Sequence, residues 1–245
     1  MRFGVVTLFP DALLGMVGAG VTGRAIGDGK MVVNTESPRA FAHDKHRTVD
    51  DRPFGGGPGM VMTPQPTVDA INALRQTLPK ARVVYLTPQG AVFDQAKAVE
   101  FSQLESLILL CGRYEGIDER IVVSAVDEEV SLGDFVLSGG EVAAAAIIDA
   151  VARLVPGVLG HPESAEQDSF AADGWLDCPH YTRPENFNGM AVPSVLMSGD
   201  HKAIALWRRQ QALKRTRLRR PELIDESALT DADIELLNKI ESENV

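Results

Sequence analysis

Leu109-Leu110-Cys111-Gly112-Arg113-Tyr114-Glu115-Gly116-Ile117-Asp118-Glu119-Arg120 is an apolar run that ends abruptly in a glycine-bounded loop. A second such junction follows in Ser131-Leu132-Gly133-Asp134-Phe135-Val136-Leu137-Ser138-Gly139-Gly140-Glu141. A short apolar run feeding glycine reads as a buried strand meeting a tight turn. Glycine lets the backbone turn sharply and lets a ligand reach main-chain N–H and C=O groups. Thr87-Pro88-Gln89-Gly90 punctuates a third strand end in the same way. Tight turns alone explain the glycines, but not why three strand ends carry glycine or proline. The three together read as a ligand cradle built mostly from backbone.

Working outward, strand candidates are residues 3–9, 31–34, 82–86, 106–112 and 129–131. Helical patterns cover residues 11–18, 66–77, 95–104 and 141–154. Strands alternating with helices imply an α/β fold, a mainly parallel sheet with helices on both faces, over residues 1–160. A charged, glycine-rich loop at 44–58 interrupts the alternation. After Pro156-Gly157 the chain turns polar and loses its periodicity as far as residue 200. Residues 161–175 are expected to be an interdomain linker or lid. A helix opening at Asp200 or His201 carries Ile204, Leu206, Trp207, Leu213 and Leu218. A second, at 231–240, carries Ile234, Leu236, Leu237 and Ile240. Residues 176–245 are therefore expected to form a small all-helical C-terminal domain.

The 245 residues carry a net charge of −10, which argues against a general nucleic-acid binder. That sum hides an asymmetry. His201 to Arg220 holds eight Lys and Arg and no acid, whereas Pro221 to Val245 holds eight acids and one lysine. Such a basic stretch suits phosphate contacts, but it suits a solvated helix docked on the acidic tail equally well. No apolar run approaches the roughly 20 residues that span a bilayer, and no secretory pattern opens the chain. Cys111 lies in an apolar strand and Cys178 in Asp177-Cys178-Pro179-His180, without zinc spacing around either. A reduced, cytoplasmic setting is expected.

The stretch from Asp50 to Met60 includes Gly55, Gly56, Gly57 and Gly59, yet lacks the Gly-Lys-Ser/Thr ending of a triphosphate loop. The cradle loops lack G-x-G-x-x-G, and Glu141 at a helix N-terminus would repel a phosphate. A cationic or neutral ligand suits the cradle better, and Leu132, Phe135, Val136 and Leu137 suit a flat adenine ring. His43 and His46 flank Asp44 without a third ligand, so spacing defines no metal site. Arg153 and Asp168 are candidates for acid–base work, although spacing alone does not select them.

Several long runs carry a family resemblance. They are Leu8-Phe9-Pro10, His46 to Pro53, Gly55 to Met60, Leu86 to Gly90, Cys111 to Arg120, Ser131 to Glu141, Pro156 to His161, and Leu176 to Pro184. In these runs the chain resembles the bacterial tRNA (guanine-N(1)-)-methyltransferases, members of the knotted SPOUT methyltransferases. The resemblance implies a C-terminal trefoil knot in the sheet domain and a homodimer with its active site at the subunit interface. It implies S-adenosylmethionine as methyl donor and N(1) of guanosine at tRNA position 37 as acceptor.

By the same resemblance, the cofactor would meet Leu86, Thr87, Pro88, Gly112, Tyr114, Glu115, Leu132, Gly133, Asp134, Phe135, Val136, Leu137, Gly139 and Gly140. The RNA would meet Arg24, His46, Asp50, Gly55, Gly56, Gly57, Gly59, Arg113, Ser169 and Arg220. Asp168 would remove the guanine proton. An ordinary aspartate, with a pKa of about 3.9, is too weak a base to do so alone. Arg153 would help by stabilising charge on the 6-oxo group. Magnesium is associated with the family, and Glu115 is its anchor candidate. The chain departs from the family at Ala40, at Phe54, and in a segment at 171–175 one residue longer than usual.

Overall fold

Ser106–Cys111 is buried at every position and lies at the centre of a five-stranded parallel sheet. The computed structural model of the chain describes residues 1–160, 168–171 and 174–243. Contacts divide the chain into two compact units, Met1–Pro162 and Glu163–Val245. The first contains β1 (Arg2–Val6), α1 (Pro10–Val17), α2 (Gly20–Gly27), β2 (Val32–Glu36), β3 (Asp50–Asp51) and β4 (Val61–Met62). It continues with α3 (Pro64–Thr77), β5 (Arg82–Val92), α4 (Gln95–Ser102), β6 (Ser106–Cys111), α5 (Glu119–Ala125), β7 (Glu128–Ser131) and α6 (Glu141–Ala152).

The sheet order is β2-β1-β6-β5-β7, and every pairing is parallel. Alternation along the strands sorts the side chains into two layers. Phe3, Val5, Val84, Leu86, Leu107, Leu109 and Cys111 pack with α1, α2, α4 and α6. Val6, Val83, Tyr85, Ile108 and Leu110 pack with α3 and α5. Both faces of the sheet are thus covered, as continuous apolar strands require. No described helix is long and apolar enough to cross a membrane.

The sequence reading differs from the structure at identifiable points. β1 stops at Val6 because Thr7 turns its hydroxyl to Glu141 and Pro10 starts α1. β5 runs on to Val92 instead of ending at residue 86. α2 and α5 have no counterpart among the helical patterns of the sequence. Three glycines dilute the pattern of α2, and α5 is a seven-residue helix containing consecutive β-branched residues. Tertiary contact overrides both preferences: Ala25 joins one core layer, and Ile121 and Ala125 join the other.

The second unit contains a short antiparallel pair, β8 (Asn186–Phe187) and β9 (Met190–Ala191), then α7 (His201–Arg219) and α8 (Asp231–Glu243). Asp200 caps α7, its carboxylate accepting from the N–H groups of Lys202 and Ala203. Trp175, Leu213, Leu237 and Ile240 form the core. Basic helix and acidic tail do meet: Arg209 pairs with Asp233, and Arg217 lies 3.8 Å from Glu226. Lys202, Arg208 and Arg219 remain exposed along the same helix.

Asp233 is 4% exposed, and its oxygens accept from Arg209 at 3.0 and 2.8 Å. The Arg209 guanidinium, with help from Thr230, lowers its carboxyl from 3.8 to about 2. A depressed carboxyl stabilises the fold above its unfolded pKa and loses that contribution as pH falls through the folded one. This unit is therefore expected to lose on the order of 2 kcal/mol between about pH 4 and pH 2. Both tryptophans, Trp175 and Trp207, lie in it, so urea melts followed by tryptophan fluorescence report it selectively. Asp233→Asn should flatten the pH dependence in that window. An unchanged slope in the variant would remove Asp233 as its source.

Candidate functional site

The C-terminal ends of β5, β6 and β7 open onto a cavity of about 330 Å³, the position at which parallel α/β sheets bind ligands. Three loops make its walls. In the first, Leu86 pairs with Val130, the chain leaves the sheet, and Ala91 returns to the same partner. A Cβ on Gly90 would lie 2.3 Å from the backbone of Glu129 and Val130, so this excursion excludes a side chain there. In the second, Tyr114 adopts a left-handed φ of 62° between Gly112 and Gly116. In the third, Gly133 has a φ of 142°.

Second and third loops are laced together. Gly140 N donates to Gly112 O at 3.0 Å, and a Cβ on Gly140 would stand 2.7 Å from Cys111 Cα. A Cβ on Gly139 would collide with Arg113 Nε at 2.1 Å. These paired glycines make room for Arg113 and for strand β6. Arg113 Nε donates to Glu141 Oε2 at 2.9 Å, Nη2 lies 2.8 Å from the same oxygen, and Nη1 donates to Ser138 O at 3.1 Å. Its guanidinium also stacks 4.4 Å over Phe9. Glu141, 2% exposed, takes Thr7 Oγ1 on its other oxygen at 2.7 Å.

The charge of Glu141 is therefore met internally, and it is not the group that would turn a phosphate away. Glu115, Glu119 and Glu129 line the cavity instead, and among the described residues its one lining cation is Arg113, already bound to Glu141. Burial raises the Tyr85 phenol, and Glu129 and Glu119 push it the same way. Burial also raises the Cys111 thiol well above its ordinary range, with Glu141 adding to it. Cys111 is a core thiol.

Of the cofactor residues expected from the sequence, Leu86, Thr87, Pro88, Gly112, Tyr114, Glu115, Leu132, Gly133, Phe135, Val136, Leu137, Gly139 and Gly140 line this cavity. Asp134 is exposed outside its walls. Tyr85, Val122, Glu129, Val130 and Ala143 also line it, from outside the loops quoted for the cradle. Hydrophobic pattern marked some of these as core, and nothing local distinguishes a strand-end glutamate from a solvated one.

The glycine-rich loop is stapled to the cradle at its root. Glu115 N donates to Met60 O and Met62 N to Gly116 O, both at 3.0 Å. Gly59, with a φ of 79°, lets the Glu115 side chain approach where a Cβ would lie 2.3 Å away. Gly55, Gly56 and Gly57 are likewise left-handed and exposed. Burial raises the Tyr114 phenol; neighbouring Asp50 adds to this and Arg39 opposes it. Asp50 and the glycine loop thus meet the second wall.

His46 is exposed in a turn organised by Asp44, which accepts from His46 N at 2.9 Å and Thr48 N at 2.8 Å. Hydrogen bonds from Thr48 hold the Asp44 carboxyl below its usual range. Arg24 is exposed on α2, and Arg153 is half-buried at the C-cap of α6.

In the second unit Asp168 and Ser169 are half-buried, and exposed Arg220 donates through Nε to Glu222. Donor atoms of Asp177, Cys178 and His180 lie within 4.8 Å of one another, a grouping that the sequence spacing had not suggested. Both Asp177 oxygens are already engaged, by Cys178 N at 2.6 Å and His180 Nε2 at 2.7 Å.

A parallel α/β sheet with a backbone-walled cavity at its strand ends, with three carboxylates among its lining residues, is the architecture in which such folds hold a small ligand. The chain belongs to the family described as tRNA (Guanine-1)-methyltransferase TrmD, whose family model matches residues 1–226. It is 58% identical over 242 residues to a tRNA (guanine-N(1)-)-methyltransferase of Pseudoalteromonas atlantica, covering 98% of this chain and 91% of that protein. A protein of the same name from Shewanella frigidimarina is 57% identical over 244 residues, covering 99% and 98% of the two chains. One from Shewanella loihica is 59% identical over 238 residues, covering 97% and 96%.

Removing one partner of a buried ion pair strands the other. Arg113→Met is expected to cost about 3–5 kcal/mol in urea unfolding of the sheet unit, followed by near-ultraviolet circular dichroism. Adding Glu141→Gln to it should return much of that loss. A single-variant cost below about 1 kcal/mol would show that the pair does not hold these strand ends. Gly90→Ala, forced against backbone, should lower the melting temperature and weaken ligand binding together. Unchanged calorimetric affinity for an adenosyl ligand would contradict the tight approach at Gly90.

Proposed function

We propose that this protein transfers a methyl group from S-adenosylmethionine to N(1) of guanosine at tRNA position 37. The observation that carries the reading is the cavity: peptide groups on three walls, with Glu115, Glu119 and Glu129 among the residues lining it. A ligand bearing a sulfonium, an ammonium and a flat adenine ring matches that charge and those walls, with Leu132, Phe135, Val136 and Leu137 beside the ring. Polyphosphate does not. The lacing of Gly112 to Gly140, and of Gly90 against Glu129 and Val130, supports the reading of a C-terminal trefoil knot around the ligand.

The donor supplies an electrophilic methyl carbon. Bound there, it would supply that carbon to guanine N1 with the sulfur as leaving group, while the Asp168 carboxylate would take the N1 proton. Arg153 supports this transfer by holding negative charge on the 6-oxo group, as an oxyanion donor does. Phosphates are met by the exposed Lys202, Arg208 and Arg219 of α7, by Arg220, and on the sheet unit by Arg24 and His46. Asp50, Gly55, Gly56, Gly57 and Gly59 close over the acceptor, with Arg113 in the wall behind. Residues 161–175 act as a lid between domains at 1–160 and 176–245; positions 161–167, 172 and 173 of it lie outside the described residues.

Exposed apolar side chains at Phe9, Val136 and Val142 support a homodimer with the site at the subunit interface. Magnesium would be met at Glu115 together with RNA phosphates. Among the described residues, no group of three His, Cys, Asp or Glu donors contains Glu115. Two free cysteines agree with a cytoplasmic setting.

Transcribed tRNA with guanosine at position 37 is expected to accept label from a radiolabelled methyl donor, recovered at N(1) after nuclease digestion. The same tRNA with that base replaced should stay unlabelled; equal labelling would refute the specificity. Asp168→Ala should lower turnover at least about 100-fold with donor affinity kept.

A further inference from the structure

We propose that Ser169, Trp175 and Thr216 form a clamp that sets the position of Asp168, so that the C-terminal unit holds the base as well as gripping RNA. This rests on the reading of Asp168 as the base. It assigns to Ser169 a positioning role in place of the RNA contact that the family resemblance implies.

A carboxylate on an unrestrained polar loop samples many positions, whereas proton transfer requires it within about 3 Å of the acceptor's proton-bearing atom. The residues that follow Asp168 are restrained in two places. Ser169 Oγ accepts the N–H of Asp177 at 2.9 Å. Phe170, at a left-handed φ of 66°, donates its N–H to Trp175 O at 2.7 Å. Within the turn, Ala171 N donates to Asp168 O at 3.2 Å and Gly174 N to Ala171 O at 2.8 Å. These bonds tie the stretch beginning at Asp168 to the stretch 174–177.

That second stretch is fastened to the helices. Leu176 N donates to Thr216 Oγ1 at 3.0 Å, and Thr216, fully buried on α7, donates onward to Ala212 O at 2.8 Å. Trp175 is 8% exposed within the core, with the Arg209 guanidinium 4.6 Å over its ring. Arg209 is itself fixed by Asp233 on α8. Asp177, whose N–H reaches Ser169, is oriented by His180 through its carboxylate. A continuous set of contacts therefore runs from α8 through α7 and Trp175 to Phe170, two residues after Asp168, and Asp177 adds a second tie to Ser169.

The test measures tRNA methylation under single turnover with four proteins: Ser169→Ala, Ser169→Thr, Asp168→Asn and the double variant Ser169→Ala with Asp168→Asn. Ser169→Ala is expected to lower the rate about 10- to 100-fold, with tRNA affinity within about twofold of the parent. Ser169→Thr, which keeps the hydroxyl, should recover most of it. In the Asp168→Asn background, Ser169→Ala should add little, because a residue that acts through another has nothing left to position. Weakened tRNA binding at an unchanged rate in Ser169→Ala would make Ser169 an RNA contact and overturn the clamp. Additive losses in the double variant would overturn it as well. Normal turnover by Asp168→Asn would instead sink the assignment of the base, and the clamp with it.

Discussion

Glu141 is a buried carboxylate at the first position of α6, and the arrangement of the strand ends depends on how its charge is met. Thr7, at the end of β1, takes one oxygen, and Arg113, just past β6, takes the other. A single side chain thereby ties two neighbouring strands to the helix that crosses behind them. An isolated buried charge is strongly unfavourable, so neither loop can move away without stranding it. The glycines around it follow from this constraint: Gly139 admits the arm of Arg113, and Gly140 brings α6 against Cys111.

Because Arg113 is committed to Glu141, the cavity beside it is left with the character of its other ionisable walls. Glu115, Glu119 and Glu129 set that character, which is the basis on which a cationic ligand is proposed. Local packing thus decides ligand chemistry at one remove. A second commitment in the other unit has a comparable effect. Asp233 holds Arg209, Arg209 covers Trp175, and Trp175 accepts the Phe170 N–H beside Asp168.

How far the sequence could be read depended on the range of the interactions. The strands in 106–112 and 82–86 were legible because buried parallel strands are apolar along their length. So were the loop glycines, since strand ends rarely need so many. What followed residue 86 was not legible: Pro88 and Gly90 signal the end of a strand, yet Val130, forty residues on, recaptures Ala91. α2 was hidden by Gly20, Gly23 and Gly27, and α5 by Ile121, Val122 and Val123. Glu141 read as a bare charge at a helix start, because its partners stand at positions 7 and 113. Asp177 and His180 are near in sequence, but the N–H of Asp177 reaching Ser169 is a tertiary fact.

The return of β5 to Val130 has a consequence for how the molecule assembles. Ala91 cannot dock, and the intervening residues cannot take up their shape, until β7 has been synthesised and paired beside β5. Contacts of large sequence separation form late, since the chain entropy lost in closing them is recovered only afterward. The pocket is consequently complete only once β7 has paired with β5, and chains lacking that pairing present no finished wall. Occupancy by a small molecule then draws the population toward the completed form by mass action, so its cellular supply contributes to how much finished protein is maintained.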